Sequence, residues 1–561
     1  MRDEPTAIER GPWLAAVSSV LPIALVAAVI VVHLLIAGGS VGPMYLFDEV
    51  GYLAGAESIA RGETVWSLCG DSYSAGWSLA LGPLWALPVS PIVVYQLAVF
   101  ASAAVGAAVI WPATLLARRL GATPLAALAI GALVTLVPAR ALLDNYVLAE
   151  NPLTFMVVLS VVLALRLRDR AGIAEHVAFG LALGVSALIH TRAVPFVAVG
   201  VAWLVCRAVA RRSGVAAAAL GVAPALALAG AGYLSQQALG SAVFGSQVTV
   251  SQVLGTRDLG DVLTVIVGQG FTQAVSWWLL PTLGLVMVAA RVRDAVRTAR
   301  WRAVASPWAW VAAGFAAQAA FTVYLLSGFE SLDTRLDVAV YGRYLDPFIV
   351  PLAVVGAVAL WNGARARAAR IAAVATIAAT AAYAALILPW LSPDAAWIPF
   401  ATPGLLPYLD VHQGDDRPAL LVAVAVTAAG IALLYAARSR RVLWLATILG
   451  VAVTATAVTD AVRVDPFEAD VRTASTITKQ LAELDATPDT TTLTATILPC
   501  AERNKLQFEL ASTARLIQPG DALGSDYAVG PAEWPEAVQQ GYARMLFTVW
   551  EETAIWVPSG P

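Results

Sequence analysis

Leu46-Phe47-Asp48-Glu49-Val50-Gly51-Tyr52-Leu53-Ala54-Gly55-Ala56-Glu57-Ser58-Ile59-Ala60-Arg61-Gly62 follows an apolar run from Pro12 to Ala37. The run is long enough to cross a hydrocarbon layer of roughly 30 Å and too long for a signal-peptide core, so it reads as a retained first span. Two adjacent carboxylates therefore stand just beyond a membrane crossing. Val50, Leu53, Ala54, Ile59 and Ala60 recur at roughly helical spacing, and Glu57 can pair with Arg61 one turn later. The spacing predicts a short amphipathic helix lying on the membrane surface. Asp48 and Glu49 either open that helix, where acidic side chains suit the positive end of the dipole, or carry chemistry.

Working outward, the chain of 561 residues is 59% hydrophobic and 13% charged, with a mean hydropathy of +0.74. That composition excludes an ordinary soluble protein and fits an all-α polytopic membrane protein. Further apolar runs lie at Pro91 to Leu116, Leu125 to Leu143, Pro152 to Leu165, Ala174 to Ile189, Ala193 to Ala208 and Val215 to Leu239. Phe271 to Ala290, Ala303 to Leu326, Pro347 to Trp361, Ile371 to Leu391, Ala419 to Ala437 and Val442 to Val462 complete a set of about thirteen spans. Arginines test the count. Alternate loops are basic, at Arg118 and Arg119, at Arg166, Arg168 and Arg170, at Arg207, Arg211 and Arg212, and at Arg291, Arg293, Arg297, Arg300 and Arg302. Arg365, Arg367 and Arg370, then Arg438, Arg440 and Arg441, continue the series. These loops are assigned to the cytoplasm, which puts the N-terminus inside and Asp48-Glu49 and the C-terminus outside.

The segment from Tyr73-Ser74-Ala75-Gly76-Trp77 to Pro88 is short and rich in Gly and Pro, which suits a re-entrant or interfacial helix within the first outer loop, residues 38–90. Gln236 to Gly270 is too polar to be embedded and reads as a long outer connector. After Asp460 the composition turns polar, and Asp465-Pro466 marks a boundary. Residues 1–462 are the transmembrane domain, and 463–561 are predicted to form a small extracytoplasmic α/β domain. Its helices are expected at Ala469 to Leu484 and Asn504 to Ser512, with strands at Thr491 to Leu498 and Ala543 to Val557. Cys69 and Cys500 both face the oxidising side and are predicted to pair, whereas Cys206 lies near the cytoplasm. There is no Walker loop, dinucleotide fingerprint or nucleic-acid motif.

Charged residues at the mouths of spans carry a resemblance. Phe47-Asp48-Glu49, Tyr73-Ser74-Ala75-Gly76-Trp77, Ala149-Glu150-Asn151-Pro152-Leu153-Thr154-Phe155, His190-Thr191-Arg192 and Gly342-Arg343-Tyr344-Leu345-Asp346-Pro347 resemble, in order and sidedness, the GT-C glycosyltransferases. The likeness is to bacterial relatives of protein O-mannosyltransferases and aminoarabinose transferases. The near absence of lysine, only Lys479 and Lys505, resembles the usage of an actinobacterium. The resemblance implies an inverting glycosyltransferase of the cytoplasmic membrane, with a polyprenyl-phosphate-linked sugar as donor and a lipid, glycan or protein as acceptor. With such a source, mannose or arabinofuranose on decaprenyl phosphate, for cell-wall biogenesis, are the obvious sugars.

Because the leaving group would be a stable phosphate, the reaction needs a carboxylate to take the acceptor's proton and cations to hold the phosphate. Asp48 is the expected base, and Glu49 the residue that orients acceptor or helix. Arg192 and Arg343 are the expected phosphate ligands, since a guanidinium fork matches phosphate oxygens. Tyr52, one turn after Asp48, and Tyr344, beside Arg343, are expected at the substrate; Asp144 and Glu150 compete for the second acidic position. Arg343 could alternatively pair with Asp346, and Arg192 could simply complement a helix end. Asp48, Asp144 and Glu150 could form an oxygen-rich site for a divalent cation, Mg²⁺ or Mn²⁺, and the sequence leaves open whether one is used. A transporter or lipid flippase, with its charges near the midplane, and a non-catalytic envelope-assembly protein are the competing functions.

Overall fold

The computed structural model describes residues 12–62, 66, 68–69, 73–244, 255–328, 338–363, 366–387, 401–408, 441–486, 491–494, 500–510, 515–517, 521–547 and 553–559. The predicted span at Ala419 to Ala437 falls outside them, as do Arg335, Arg365, Arg417, Arg438, Arg440 and residues 245–254 of the predicted connector.

Among the described residues seven helices are long and apolar enough to cross a membrane, or up to nine if each of two bent pairs is one span; Ile173–Ile189, Asp346–Trp361 and Arg370–Leu386 are shorter apolar helices. The helices pack through small residues where backbones must approach closely. A Cβ on Gly284 would lie 2.0 Å from the Leu352 carbonyl oxygen, and one on Gly356 would lie 1.9 Å from that of Leu280. Glycine is what lets Leu280–Ala299 and Asp346–Trp361 lie against each other.

The predicted span Phe271 to Ala290 is not one helix. Leu259–Ser276 and Leu280–Ala305 meet at 106°. Trp278 and Leu279 take left-handed backbone angles, φ 49° and 66°, which no α-helix tolerates. The indole N–H of Trp277 donates to Asp346 at 3.0 Å and that of Trp278 to the Tyr408 hydroxyl at 3.1 Å, fixing the corner. Hydropathy alone runs straight through this bend, because both tryptophans are apolar. A second bent pair, Pro124–Leu136 and Pro138–Asn145, turns by 60° at a proline that cannot continue the ladder.

Helix α1 is Pro12–Gly38, α2 is Asp48–Arg61 and α3 is Ala75–Leu81. The α2 helix is not the half-exposed amphipathic one expected: every residue from Glu49 to Ser58 is buried within the protein. Its buried Glu57 is satisfied inside the protein, accepting from the Trp66 indole at 2.7 Å and pairing with Arg61 at 2.9 Å. The seven-residue α3 is the short apolar element expected between Tyr73 and Pro88.

The C-terminal residues form an α/β unit with a five-stranded mixed sheet. Strands β1 (Thr491–Thr494), β2 (Arg515–Ile517), β3 (Tyr527–Pro531), β4 (Tyr542–Phe547) and β5 (Thr553–Pro558) lie in the order β2-β1-β3-β5-β4. The β1 pairings are parallel and those of β5 antiparallel. The single helix expected from Ala469 to Leu484 is two, Asp465–Arg472 and Thr476–Glu483. Ser475 starts the second by accepting from the Thr478 N–H at 3.1 Å, an N-cap that the apolar spacing concealed. At Asp465-Pro466 the composition changes, yet the helical stretch Arg441–Ala469 runs on through it, by way of a π-helical turn at Asp460–Val464.

Candidate active site

Four of the singled-out charges meet at one place. Asp48 opens α2, Glu150 opens the helix Glu150–Asp169, and Arg192 and Arg343 sit in the short 3-10 turns Thr191–Ala193 and Gly342–Tyr344. Each is thus held where a helix begins, with its side chain turned to a common centre. Asp48 accepts from Arg343 Nη2 through one carboxylate oxygen and from the Tyr73 hydroxyl through the other. Glu150 accepts from both terminal nitrogens of Arg192 at 3.3 Å, and Arg343 Nε lies 3.8 Å from the same oxygen. Two acids and two cations balance. The side chains of Glu150, Arg192 and Arg343 are 3%, 6% and 2% exposed and that of Asp48 is 13%, so Asp48 is the member that solvent or substrate can reach.

Aromatic rings wall the cluster. Arg192 lies 3.8 Å from the centre of the Tyr344 ring, and Arg343 sits among Tyr45, Tyr341 and Tyr344 at 5.2, 5.2 and 5.6 Å. Such faces stabilise a buried guanidinium without neutralising it. Burial opposes the charge of Arg343, but the neighbouring Tyr341, Asp48 and Glu150 outweigh it and hold the residue protonated. Burial and the two arginines push His190 far below the usual imidazole range, so it stands as a neutral ring whose Nδ1 accepts the Arg192 backbone N–H at 3.1 Å.

The surrounding backbone is fixed from several sides. Gln269 donates to the carbonyls of Ala339 and Tyr341 at 3.3 and 3.2 Å, and Gln273 to that of Gly342 at 3.3 Å. Tyr52 lies among Asp48, Glu150 and the two arginines, its ring 4.8 Å from that of Tyr73. Ser74 accepts from the Thr191 N–H at 3.0 Å. A Cβ on Gly76 would lie 2.4 Å from the Leu188 carbonyl oxygen, which explains why the Tyr73-Ser74-Ala75-Gly76-Trp77 segment needs glycine there.

Two of the expected site residues lie elsewhere. Glu49 is fully buried and accepts four hydrogen bonds, from the N–H groups of Met44 (2.9 Å), Tyr45 (2.7 Å) and Val147 (2.8 Å) and from the Tyr95 hydroxyl (3.0 Å). It locks the turn that presents Asp48. Asp144 is paired with His33 of α1 and accepts from Asn151 at 2.8 Å. The structure therefore does not gather Asp48, Asp144 and Glu150 into a metal site, and among the described residues no three His, Cys, Asp or Glu side chains stand together as ligands. Asp346 accepts from Trp277, and the arginine it could have paired with, Arg343, pairs with Asp48 instead. Tyr45, Tyr73, His190 and Tyr341 join the site without having been assigned to it. The signal for them was present in the sequence as aromatic or imidazole neighbours of each charge.

The C-terminal unit reaches this site. Cys69 and Cys500 form the predicted disulfide, with Cα atoms 5.7 Å apart. Asn504 bonds the Cys69 N–H (3.1 Å), the Cys69 carbonyl (2.9 Å) and the Leu46 carbonyl (3.1 Å). Arg472 donates to the Gly42 and Asn145 carbonyls, each at 3.0 Å, and to the Tyr95 hydroxyl at 2.9 Å.

With 17% identity and a TM-score of 0.56, the crystal structure of ArnT from Cupriavidus metallidurans bound to undecaprenyl phosphate aligns over 97% of this chain and 100% of its own. The chain has the ArnT fold. The apo structure of the same protein agrees, at a TM-score of 0.54, 18% identity, and coverage of 98% and 100%. No family model and no curated protein matches the chain, so the likeness to ArnT is one of architecture, carried through the membrane helices and the C-terminal unit alike.

Proposed function

We propose that the chain is an inverting GT-C-type glycosyltransferase of the bacterial cytoplasmic membrane. It moves a sugar from a polyprenyl-phosphate-linked donor to the hydroxyl of a lipid, glycan or protein acceptor on the outer face. The observation that carries this reading is the Asp48, Arg343, Glu150, Arg192 cluster: a reachable carboxylate beside two buried guanidinium groups. It supplies a proton acceptor and a phosphate cradle within one site, in a fold whose ArnT example was crystallised with undecaprenyl phosphate.

In this mechanism Arg343 and Arg192 hold the donor phosphate, and their fork geometry lets each bind two oxygens. Asp48 takes the proton as the acceptor oxygen attacks the anomeric carbon. The C–O bond to phosphate breaks with its electron pair, leaving polyprenyl phosphate. No general acid is needed for that leaving group, and His190, held neutral by its arginine neighbours, is not called on as one. Tyr52 and Tyr73 supply ring faces for the sugar. No step is routed through a metal, since Asp48 and Glu150 already face arginines. An apolar cavity of about 690 Å³, with Gln269 and Gln273 on its wall, lies directly behind the Arg343 turn and suits the polyprenyl chain.

The test is mass spectrometry of envelope lipids and glycans from cells with and without the protein, followed by complementation with Asp48→Asn. One sugar-bearing species should vanish on deletion and stay absent with Asp48→Asn. An unchanged envelope, or full rescue by that variant, would turn attention to transport. Arg140 and Asp144, buried at the bend of the second helix pair, are the feature a transporter would share.

A further inference from the structure

Both carboxylate oxygens of Asp48 are engaged in the structure. One oxygen accepts from Arg343 and the other from the Tyr73 hydroxyl, so an incoming acceptor hydroxyl meets a carboxylate already engaged on both sides. The other members of the cluster have little room to shift. Arg343 is 2% exposed and boxed by three tyrosine rings, and Glu150 is committed to Arg192. What can change is Arg343's choice of acceptor, because a phosphate oxygen offers it the same charge-assisted bond that Asp48 does.

We infer that the donor phosphate takes Arg343 away from Asp48, so that the base is released only when a donor is seated. This rests on the reading of the chain as a phospholipid-sugar transferase and adds an order to it: donor first, acceptor second. Tyr73 keeps its hold on one oxygen and so keeps the carboxylate in place. The freed oxygen then receives the acceptor proton as the new C–O bond forms and the bond to phosphate breaks. Without a donor, Asp48 stays paired with Arg343. When polyprenyl phosphate departs, the Arg343–Asp48 pair re-forms and the cycle closes.

The experiment uses undecaprenyl phosphate as the probe and the full-length protein in detergent, with binding measured by native mass spectrometry for wild type, Asp48→Asn, Arg343→Gln and the double variant. Arg343→Gln should weaken binding. Asp48→Asn should strengthen it, by about fivefold or more, because phosphate no longer competes with a carboxylate. The gain should disappear in the Arg343→Gln background, since only exchange at that arginine couples the two positions. A gain of equal size in both backgrounds would reduce Asp48 to a repulsive neighbour and overturn the exchange, as would no gain at all. Wild-type binding by Arg343→Gln would instead overturn the assignment of that arginine to the donor phosphate. Arg343→Met, of similar length and without charge, replaces Arg343→Gln in the cycle should the latter not fold, with the same loss of the Asp48→Asn gain expected.

Discussion

Asp48 and Glu49 leave the α2 backbone about 100° apart, and that angle sends one carboxylate to Arg343 and the other into a buried nest of N–H donors. Asp48→Asn keeps the size and removes the basic oxygen; turnover per folded molecule should fall by about 10²–10⁴-fold, with the folded fraction followed by thermal unfolding because the substitution also takes a partner from buried Arg343. Glu49→Gln acts differently. Both Glu49 oxygens accept from donors, so an amide NH₂ must face at least one of them, at a cost of about 1–3 kcal/mol. Burial already pushes the Glu49 carboxyl upward, with Arg472 and the N–H groups opposing, so the site has little tolerance. The expected outcome is a lower unfolding temperature with measurable activity per folded molecule; a stable but inactive Glu49→Gln protein would move the base to Glu49. Arg343→Ala should raise the apparent KM for the lipid donor more than it lowers stability. At this scale the sequence named the four charges that the structure brings together but not which of two neighbouring acids faces them, because helix phase at a first turn depends on where the helix starts.

The loop from Gly39 to Asp48 is the element on which the site depends, and the C-terminal unit grips it. Arg472 holds Gly42, Glu49 holds Met44 and Tyr45, Asn504 holds Leu46, and the disulfide fixes Cys69 alongside. Asn504→Leu removes an acceptor and two donors from that grip while leaving every Asp48, Arg192 and Arg343 contact in place. It should lower kcat about tenfold or more through misplacement of Asp48 with little change in donor KM; an equal loss in both would mark Asn504 as structural only. Opening the disulfide, by reductant or by Cys69→Ser with Cys500→Ser, should add to that loss. Pairing of Cys69 with Cys500 was legible from topology, since both lie on the same predicted face. The grip of Asn504 was not, because an asparagine more than four hundred residues away in the chain leaves no local pattern. Burial of α2 was missed for a related reason: its small residues, Gly51, Ala54, Gly55 and Ala56, read as weakly amphipathic, whereas they permit close packing on every side.

Across the described residues, hydropathy located most of the long apolar helices, and failed where an apolar sequence turns a corner. Trp277, Trp278 and Leu279 give no polar signal, yet they bend the chain by 106°. That bend sets Leu259–Ser276 beside the Arg343 turn, so that Gln269 and Gln273 reach its carbonyls while they also stand, with Ile266 of the same helix and with Leu285, Phe315 and Ala379, on the wall of the apolar cavity. One corner thus joins the Arg343 turn to an apolar space the size of a lipid segment. If the polyprenyl chain of the donor lies there, each buried methylene contributes up to about 0.8 kcal/mol, and a longer chain gains more than a short one that ends before the cavity. Ala320→Phe or Ala379→Phe, which replace small lining residues by large ones, should therefore reduce kcat/KM for an undecaprenyl-linked donor about tenfold, roughly 1.4 kcal/mol, while sparing a farnesyl-linked donor. Both donors compared on the same purified variant give a ratio that is insensitive to the folded fraction. An unchanged ratio would place the chain outside the cavity, along the lipid-facing surface of the helices, and would leave the Arg343 turn as the only part of this region that senses the donor.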